Sequence, residues 1–523
     1  FFFADRGVEG TMEPLTRPYT KALLKELQGP EKIWAYMLMM TEVPRPSHKL
    51  DGIRKRILEH VAEAMPQVHA EVDAAGNVLL RKKAAPGMEH LPGICIQGHL
   101  DMVTTKVDGL EFDFEKQAIE PQIQGDWLVA KGTTLGADNG IGVAAGLALL
   151  ADEFLKTPML ECLFTADEET TMGGAENLPT DLLQSAVLIN ADSEEEESIC
   201  MGCAGGHENV LSLPVAVMED GPDLPLPGFE AHRLRVCSHG GHSGIDIHIG
   251  YASAAKVLNR LLLHGFEEMG GFALAHYEAG NAPNAIPSHA EAVVLGPTPA
   301  IHELLSAVEG LFATVCEEFL SIEGESDANG RRVTTLRLEL TRLPAVPPSA
   351  VPSADVRRAL GFVALVPHGV LRMSPDMPGL VESSTSMGFV RLRLQHADGP
   401  HLMVHTLTRS SHDSALRQYA EECNAWCGLA GARDSGRLSV SPGWTPNVNS
   451  KALAAAKTAA QRVFGKPVRV YSVHAGLEVG LLLQKYPHMD AISIGPLIKG
   501  AHSPSERLLI SSVGRFWEHL KQT

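Results

Sequence analysis

The run Gly93-Ile94-Cys95-Ile96-Gln97-Gly98-His99-Leu100-Asp101 decides the fold. Its apolar and small residues suit a strand buried on both faces, and the run halts at Gly98, where an imidazole and a carboxylate follow. The pattern recurs. Residues 160–165 read as a strand ending at Asp167-Glu168-Glu169, and residues 186–190 as one ending at Asp192. Between them residues 141–154, rich in Ala, Leu and Gly, read as a helix directly after Asp138-Asn139-Gly140. Such alternation argues for an α/β domain whose mostly parallel sheet is covered by helices.

Working outward, residues 31–64 read as helix broken at Pro44-Arg45-Pro46-Ser47. Residues 207–440 change character. Strands are expected at 232–237, 335–340 and 388–394, helices at 252–264 and 300–319, and a Pro- and Ala-rich surface loop at 341–353. After Pro442-Gly443-Trp444 the alternation returns, with helices at 450–464 and 476–486 and strands at 468–472 and 491–494. His502 follows in a loop. The expected organisation is one α/β domain, formed by 13–206 and 441–523, with an α+β domain inserted at 207–440.

A chain of 523 residues exceeds one ordinary core. With 44% hydrophobic and 20% charged residues, general disorder is excluded. The net charge of -19 repels polyanions, which argues against nucleic acid or an anionic membrane as partner. No apolar run approaches the roughly 18–20 residues that span a bilayer. The opening Phe1-Phe2-Phe3 has no basic region before it and does not read as a signal peptide. Eight scattered cysteines, mostly in apolar stretches, are expected as free thiols in a reducing, cytoplasmic compartment. Cys200 and Cys203 form C-x-x-C, but without a second pair the structural-zinc reading is weak.

The candidate chemistry lies in His99, Asp101, Asp138, Glu168, Glu169, Asp192 and His502. The carboxyl edge of an open α/β sheet is where ligands bind, so loops far apart in sequence can meet there. Two imidazoles and several carboxylates suit Zn²⁺, Co²⁺ or Mn²⁺ better than Mg²⁺ or Ca²⁺. A metal pair needs about three protein ligands each and often shares one carboxylate. A lone His-x-Asp is usually a structural feature. Five such clusters, each expected just beyond a strand, favour metal.

Several runs carry a family resemblance. Gly98-His99-Leu100-Asp101-Met102-Val103, Leu135-Gly136-Ala137-Asp138-Asn139-Gly140-Ile141-Gly142, Ala166-Asp167-Glu168-Glu169 and Ala501-His502-Ser503-Pro504-Ser505-Glu506 resemble the M20 family of metallopeptidases, and within it the aminoacyl-histidine dipeptidase branch. Val43-Pro44-Arg45-Pro46-Ser47, Gly240-Gly241-His242-Ser243-Gly244, Asn284-Ala285-Ile286-Pro287, Arg409-Ser410-Ser411 and His474-Ala475-Gly476-Leu477-Glu478 extend it over nearly the whole chain.

The resemblance implies a zinc-peptidase-like catalytic domain with an inserted α+β lid domain, and hydrolysis of dipeptides including Xaa-His. It implies two divalent ions, zinc first, with cobalt or manganese as alternatives. His99 and Asp192 would hold one, Glu169 and His502 the other, with Asp138 bridging them across a cis peptide to Asn139. Asp101 would fix the His99 ring. Glu168 would be the general base toward a metal-bridged water. His242 would donate to the oxyanion, and Asn284 and Arg409 would grip the substrate's carboxylate. A homodimer fits the same branch. Other M20 activities, a deacylase or tripeptidase, and a non-catalytic metal-binding homologue are the alternatives. Tyr251-Ala252-Ser253 replaces the branch's usual Arg-Ala-Asn, and Pro283 and Ser288 replace flanking Arg. These departures bear on substrate preference and leave the metal ligands intact.

Overall fold

In a computed structural model describing residues 14–219, 228–326 and 332–523, Ile94–His99 runs near the middle of an eight-stranded sheet. The opening Phe1-Phe2-Phe3 lies outside the described residues. The strand order is His69–Val72, Val78–Lys82, Leu160–Thr165, Ile94–His99, Val187–Asn190, Asp490–Ser493, Ser198–Cys203 and Arg469–Val473. Ile94–His99 is parallel to both neighbours, and Asp490–Ser493 is parallel to Val187–Asn190. The flanks are different: Val78–Lys82 is antiparallel to both of its neighbours, and Ser198–Cys203 is antiparallel to Asp490–Ser493. The three central pairings are therefore parallel and the pairings just outside them antiparallel. Connection length explains this. A parallel pair needs a long crossover, and the helix Ala137–Leu150 supplies one between Ile94–His99 and Leu160–Thr165. His69–Val72 and Val78–Lys82 are joined by a tight turn in which Asp73 accepts from the N–H groups of Ala75 and Asn77, so they fold back antiparallel.

Ala137–Leu150 is buried along its whole length. Ile141, Leu147 and Leu150 are each fully excluded from solvent, and each such side chain is worth about 1.5–3 kcal/mol. Its small residues allow close packing: a Cβ on Gly142 would stand 2.6 Å from the Ala191 carbonyl oxygen. The interrupted helix near the start is two helices, Glu31–Glu42 and Asp51–Ala64.

The chain divides into two units. One holds the chain up to Gly202 with Trp444–Ser472 and Leu477–Thr523. The other holds Cys203–Gly443 with the short segment Val473–Gly476. The second unit is built on a nine-stranded sheet whose three longest strands, Val381–Arg393, His401–Ser410 and Gly205–Pro214, are paired antiparallel. Helices Ala254–Met269, Thr298–Glu323, Ser353–Leu365 and Asp413–Ala430 contribute to its core. The expected surface loop at 341–353 is only partly one. Ala350 and Val351 are fully buried, and Val351 exchanges both backbone hydrogen bonds with Leu274. Apolar side chains between the prolines find the sheet edge rather than water.

Among the described residues no helix is long and apolar enough to cross a membrane. All eight cysteines are outside disulfides, and neither Cys200 nor Cys203 belongs to a metal-competent group among the described residues.

Candidate metal centre

His99 is the last residue of its strand, so its ring emerges at the carboxyl edge of the parallel centre. Asp192 lies two residues beyond Val187–Asn190. Glu168 and Glu169 sit on a single helical turn after Leu160–Thr165, reached through Asp167 in the left-handed region at φ 57°. The other two side chains arrive differently from the sequence expectation of a strand end. Asp138 stands at the start of the helix Ala137–Leu150, and its peptide bond to Asn139 is cis. His502 lies in the loop between Ile498–Lys499 and Arg507–Leu509, two strands of a separate four-stranded sheet. A helix start and a hairpin loop thus bring a carboxylate and an imidazole over the edge from outside the main sheet.

The groups interlock. His99 Nε2 is 3.0 Å from Asp138 Oδ1 and 3.6 Å from Asp192 Oδ1. His502 Nε2 is 3.1 Å from Asp138 Oδ2 and 3.0 Å from Glu169 Oε2. Asp138 therefore offers one oxygen to each imidazole. Two sets, His99–Asp138–Asp192 and Asp138–Glu169–His502, each bring their ligand atoms within 4.8 Å of one another, as does His99–Glu168–Glu169. Tetrahedral Zn²⁺ with bonds of about 2.0–2.1 Å spaces neighbouring ligand atoms about 3.3 Å apart, which the observed separations bracket. Glu169 Oε1 and Asp192 Oδ1 are buried with no hydrogen-bond partner. Nitrogen and carboxylate donors, orphaned oxygens and this spacing fit a pair of divalent cations.

Asp101 is the hinge-pin. It lies 3.4 Å from His99 Nδ1, accepts from Ser47 Oγ, and accepts from the backbone N–H groups of both Glu168 and Glu169 at 3.0 and 3.2 Å. One carboxylate thus orients both the ring and the acidic turn. The electrostatics call for positive charge. Burial, reinforced by Asp138 and Glu169 and opposed by His99, pushes Asp192 up to about 7. Burial and the neighbouring Glu478, Asp192 and Glu169 hold Glu168 well above the usual carboxylate range against His99. Hydrogen bonds to Asp138 and Glu169 lift His502 to about 11.

In the second unit, the short strands Gly241–His242 and Ala285–Ile286 pair, and Ser243 N–H donates to the Asn284 carbonyl at 2.9 Å. His242 Nδ1 accepts from the N–H groups of Gly244 and Ile245 at 3.1 and 2.9 Å. A ring nitrogen that accepts is unprotonated, so in the neutral ring Nε2 carries the proton and is a donor. Burial and Arg409 lower the His242 pKa, which keeps the ring neutral. Arg409, on His401–Ser410, is only 8% exposed and its Nε has no protein partner. Burial lowers its pKa to about 10 although Glu208 opposes this. His474 faces the same group, donates or accepts at Ser384 Oγ (2.7 Å), and is pushed down to about 3 by burial, Arg409, His242 and His248.

A model of peptidase family M20/M25/M40 matches residues 95–522. The chain belongs to this family. It is 37% identical over 496 residues to the cytosol non-specific dipeptidase of Escherichia coli, covering 94% of this chain and 97% of that protein. The crystal structure of aminoacylhistidine dipeptidase from Vibrio alginolyticus superposes with a TM-score of 0.83 at 33% identity, over 95% of this chain and 97% of that one. An aminopeptidase from Bacillus cereus shares the fold alone, with a TM-score of 0.56 at 12% identity over 94% and 97%. As an M20 peptidase the chain is a peptide hydrolase.

Sequence reasoning gave no role to three buried charges of this M20 peptidase: Arg45, Glu478 and Glu506. Glu478 Oε2 accepts from Gln97 Nε2 and Thr165 Oγ1 beneath the site, at 2.7 and 2.6 Å. All three lie inside the quoted motif runs. Their place inside those runs was the available signal.

Proposed function

We propose that the chain is a di-metal dipeptidase, with zinc as the first choice of ion and cobalt or manganese as alternatives. The observation that carries this reading is Asp138 set between two imidazoles, with Asp192 completing one set and Glu169 the other. When bound, the ions supply Lewis-acid polarisation of the scissile carbonyl and a lowered pKa for water. His99, Asp192 and Asp138 would hold one; Glu169, His502 and Asp138 the other.

Glu168 is the acidic group beside these ligands that is not needed to complete either set. Its role is to take a proton from the attacking water and deliver it to the leaving amine, so that hydrolysis yields a carboxylate and an amine. Asp101 keeps the His99 ring and the Glu168–Glu169 turn in place. His242 is assigned as donor, through Nε2–H, to the oxyanion that forms on the carbonyl. Arg409, a buried cation with an unpartnered donor, and Asn284 are assigned to the substrate's C-terminal carboxylate. The relatives' names, cytosol non-specific dipeptidase and aminoacylhistidine dipeptidase, support dipeptides including Xaa-His as substrates. Together with the eight cysteines outside disulfides, the first name supports a cytosolic location.

The test is metal content by atomic emission alongside hydrolysis of Ala-His, β-Ala-His and Gly-Gly, before and after chelation and after Zn²⁺, Co²⁺ or Mn²⁺ is restored. Two ions per chain and chelation-sensitive dipeptide cleavage are expected. A metal-free chain that cleaves dipeptides, or a two-ion chain that cleaves none, overturns the reading.

A further inference from the structure

The segment that delivers Asp138 is held from both sides by buried charges. Glu506 Oε2 accepts from the backbone N–H groups of Leu135 and Gly136 at 2.8 and 3.0 Å, and Oε1 from those of Ala137 and Asp138 at 2.7 and 3.2 Å. Four consecutive backbone donors therefore converge on one carboxylate. Arg45 takes the carbonyls: Nη1 donates to Leu100 O and Asp101 O at 2.9 and 2.7 Å, and Nη2 donates to Gly136 O. Gly136 is thus gripped by its N–H from Glu506 and by its carbonyl from Arg45. Both charged side chains are essentially buried, Arg45 at 1% and Glu506 at 2% exposure.

The residue between them has to be glycine. Gly136 has φ 70°, and a Cβ there would stand 2.3 Å from Arg45 Nη2 and 2.9 Å from the Met102 sulfur. Burying a carboxylate and a guanidinium is costly, and the cost is offset here by charge-assisted bonds to peptide groups and by the attraction of Glu506 for Arg45. Packing alone would not require ions in this place.

Glu506 also sits on the loop that carries His502. That loop is a pair of tight turns, with Ser503 N–H bonded to Gly500 O and Glu506 N–H to Ser503 O. Arg45 meanwhile touches the backbone of Leu100 and Asp101, immediately after His99. The three segments bearing His99, Asp138 and His502 are tied together by two side chains, neither of which is a candidate ligand.

We propose that Arg45 and Glu506 are positioning residues that set the distance of Asp138 from His502 and His99, and hence the spacing of the two metal sites. The inference rests on the metal reading above. The Glu506 side controls mainly the His502 set, since Glu506 lies four residues from that ligand, and the Arg45 side controls mainly the His99 set.

The experiment measures Zn²⁺ per chain after dialysis against graded chelator, the visible absorption of the Co²⁺-loaded protein, and kcat and KM on a dipeptide. The variants are Glu506→Gln, Glu506→Asp and Arg45→Lys, the last expected to loosen the His99-side ion first. The comparison variant is Glu161→Gln: Glu161 is an equally buried carboxylate at the far end of its strand that accepts from Arg81, Gln184 N–H and Ser185. Supporting residues of metal ligands typically contribute about 10- to 100-fold to metal affinity. Glu506→Gln is expected to release one ion per chain at about 10- to 100-fold lower chelator than wild type, with altered Co²⁺ absorption and reduced kcat at nearly unchanged KM. Glu506→Asp, which retains both oxygens, is expected to fall between. Glu161→Gln is expected to lower Tm and leave metal retention and absorption as in wild type. If Glu506→Gln is insoluble, Glu506→Asp decides by the same readouts. Soluble variants with wild-type metal retention and absorption overturn the proposal, and so does an equal metal loss in Glu161→Gln. A wild type that retains no metal defeats the functional reading instead.

Discussion

The two units hold their polar groups in opposite ways. In the first, the candidate ligands touch one another: Asp138 meets two imidazoles, His502 meets two carboxylates, and Asp101 supports both a ring and a turn. In the second, Arg409 keeps an unpartnered nitrogen, His474 is held neutral, and His242 commits one ring nitrogen to backbone while leaving the other as donor. The first cluster is organised by its own mutual contacts and carries a surplus of buried carboxylates over imidazoles. The second is organised by the backbone of a sheet and a Gly-rich turn, and leaves a buried guanidinium nitrogen without a hydrogen-bond partner. Contacting groups share energy and respond non-additively, whereas separately held groups respond independently.

The strongest attempt to break that contrast is Asp138→Ala. Because Asp138 offers an oxygen to each set, its removal is expected to weaken both ions by more than the about 100-fold upper range of a supporting residue and to bring activity to background. Two tightly held ions with full turnover in this variant would remove the bridge from the account.

Next in size is the pair Glu168→Gln and Glu169→Gln. The first is expected to keep both ions and lose about 10²–10⁴-fold in kcat, as for a general base. The second is expected to lose the His502-side ion. Metal stoichiometry measured with turnover separates them, and the reverse pattern exchanges their roles.

Arg409→Ala probes the second unit. A charged hydrogen bond worth about 1.5–3 kcal/mol corresponds to about a 10- to 100-fold change in kcat/KM for free dipeptides, with little change for C-terminally amidated ones and none in metal content. Equal losses on both substrates would make Arg409 a structural cation.

The smallest expected effect is a pH dependence of stability in the second unit. Burial and the nearby Lys256 lower His368 to about 4, and its Nδ1 accepts from Met387 N–H, which requires the neutral ring. The unfolded chain protonates this ring near 6.5, so it binds more protons than the fold between those values. The contribution is complete above about 6.5 and is lost as pH falls toward about 4. His368→Asn is expected to flatten urea-melt midpoints across that window; an unchanged slope removes His368 as the cause.

Much of the first unit was legible residue by residue. Leu160–Thr165 and Asp490–Ser493 follow from short apolar runs with clear stops, because a buried strand announces itself locally. The sheet direction was less legible. Its antiparallel flanks depend on which strands become neighbours, and Asp490–Ser493 pairs with Val187–Asn190 across some three hundred residues. The stretch 341–353 misled for a related reason: Pro and Ala content describes the local chain, while the burial of Val351 comes from Leu274.

By itself the sequence determined which side chains are available as ligands and which strands end in them, since apolar runs, Gly stops and residue chemistry are local properties. The tertiary structure alone decided that His502 arrives on a hairpin of a second sheet, and that Asp101 holds both the His99 ring and the Glu168–Glu169 turn. It alone decided the burial of Arg45 and Glu506. A charge can be buried only where partners meet it, and the donors that meet Glu506 lie some 370 residues earlier in the chain.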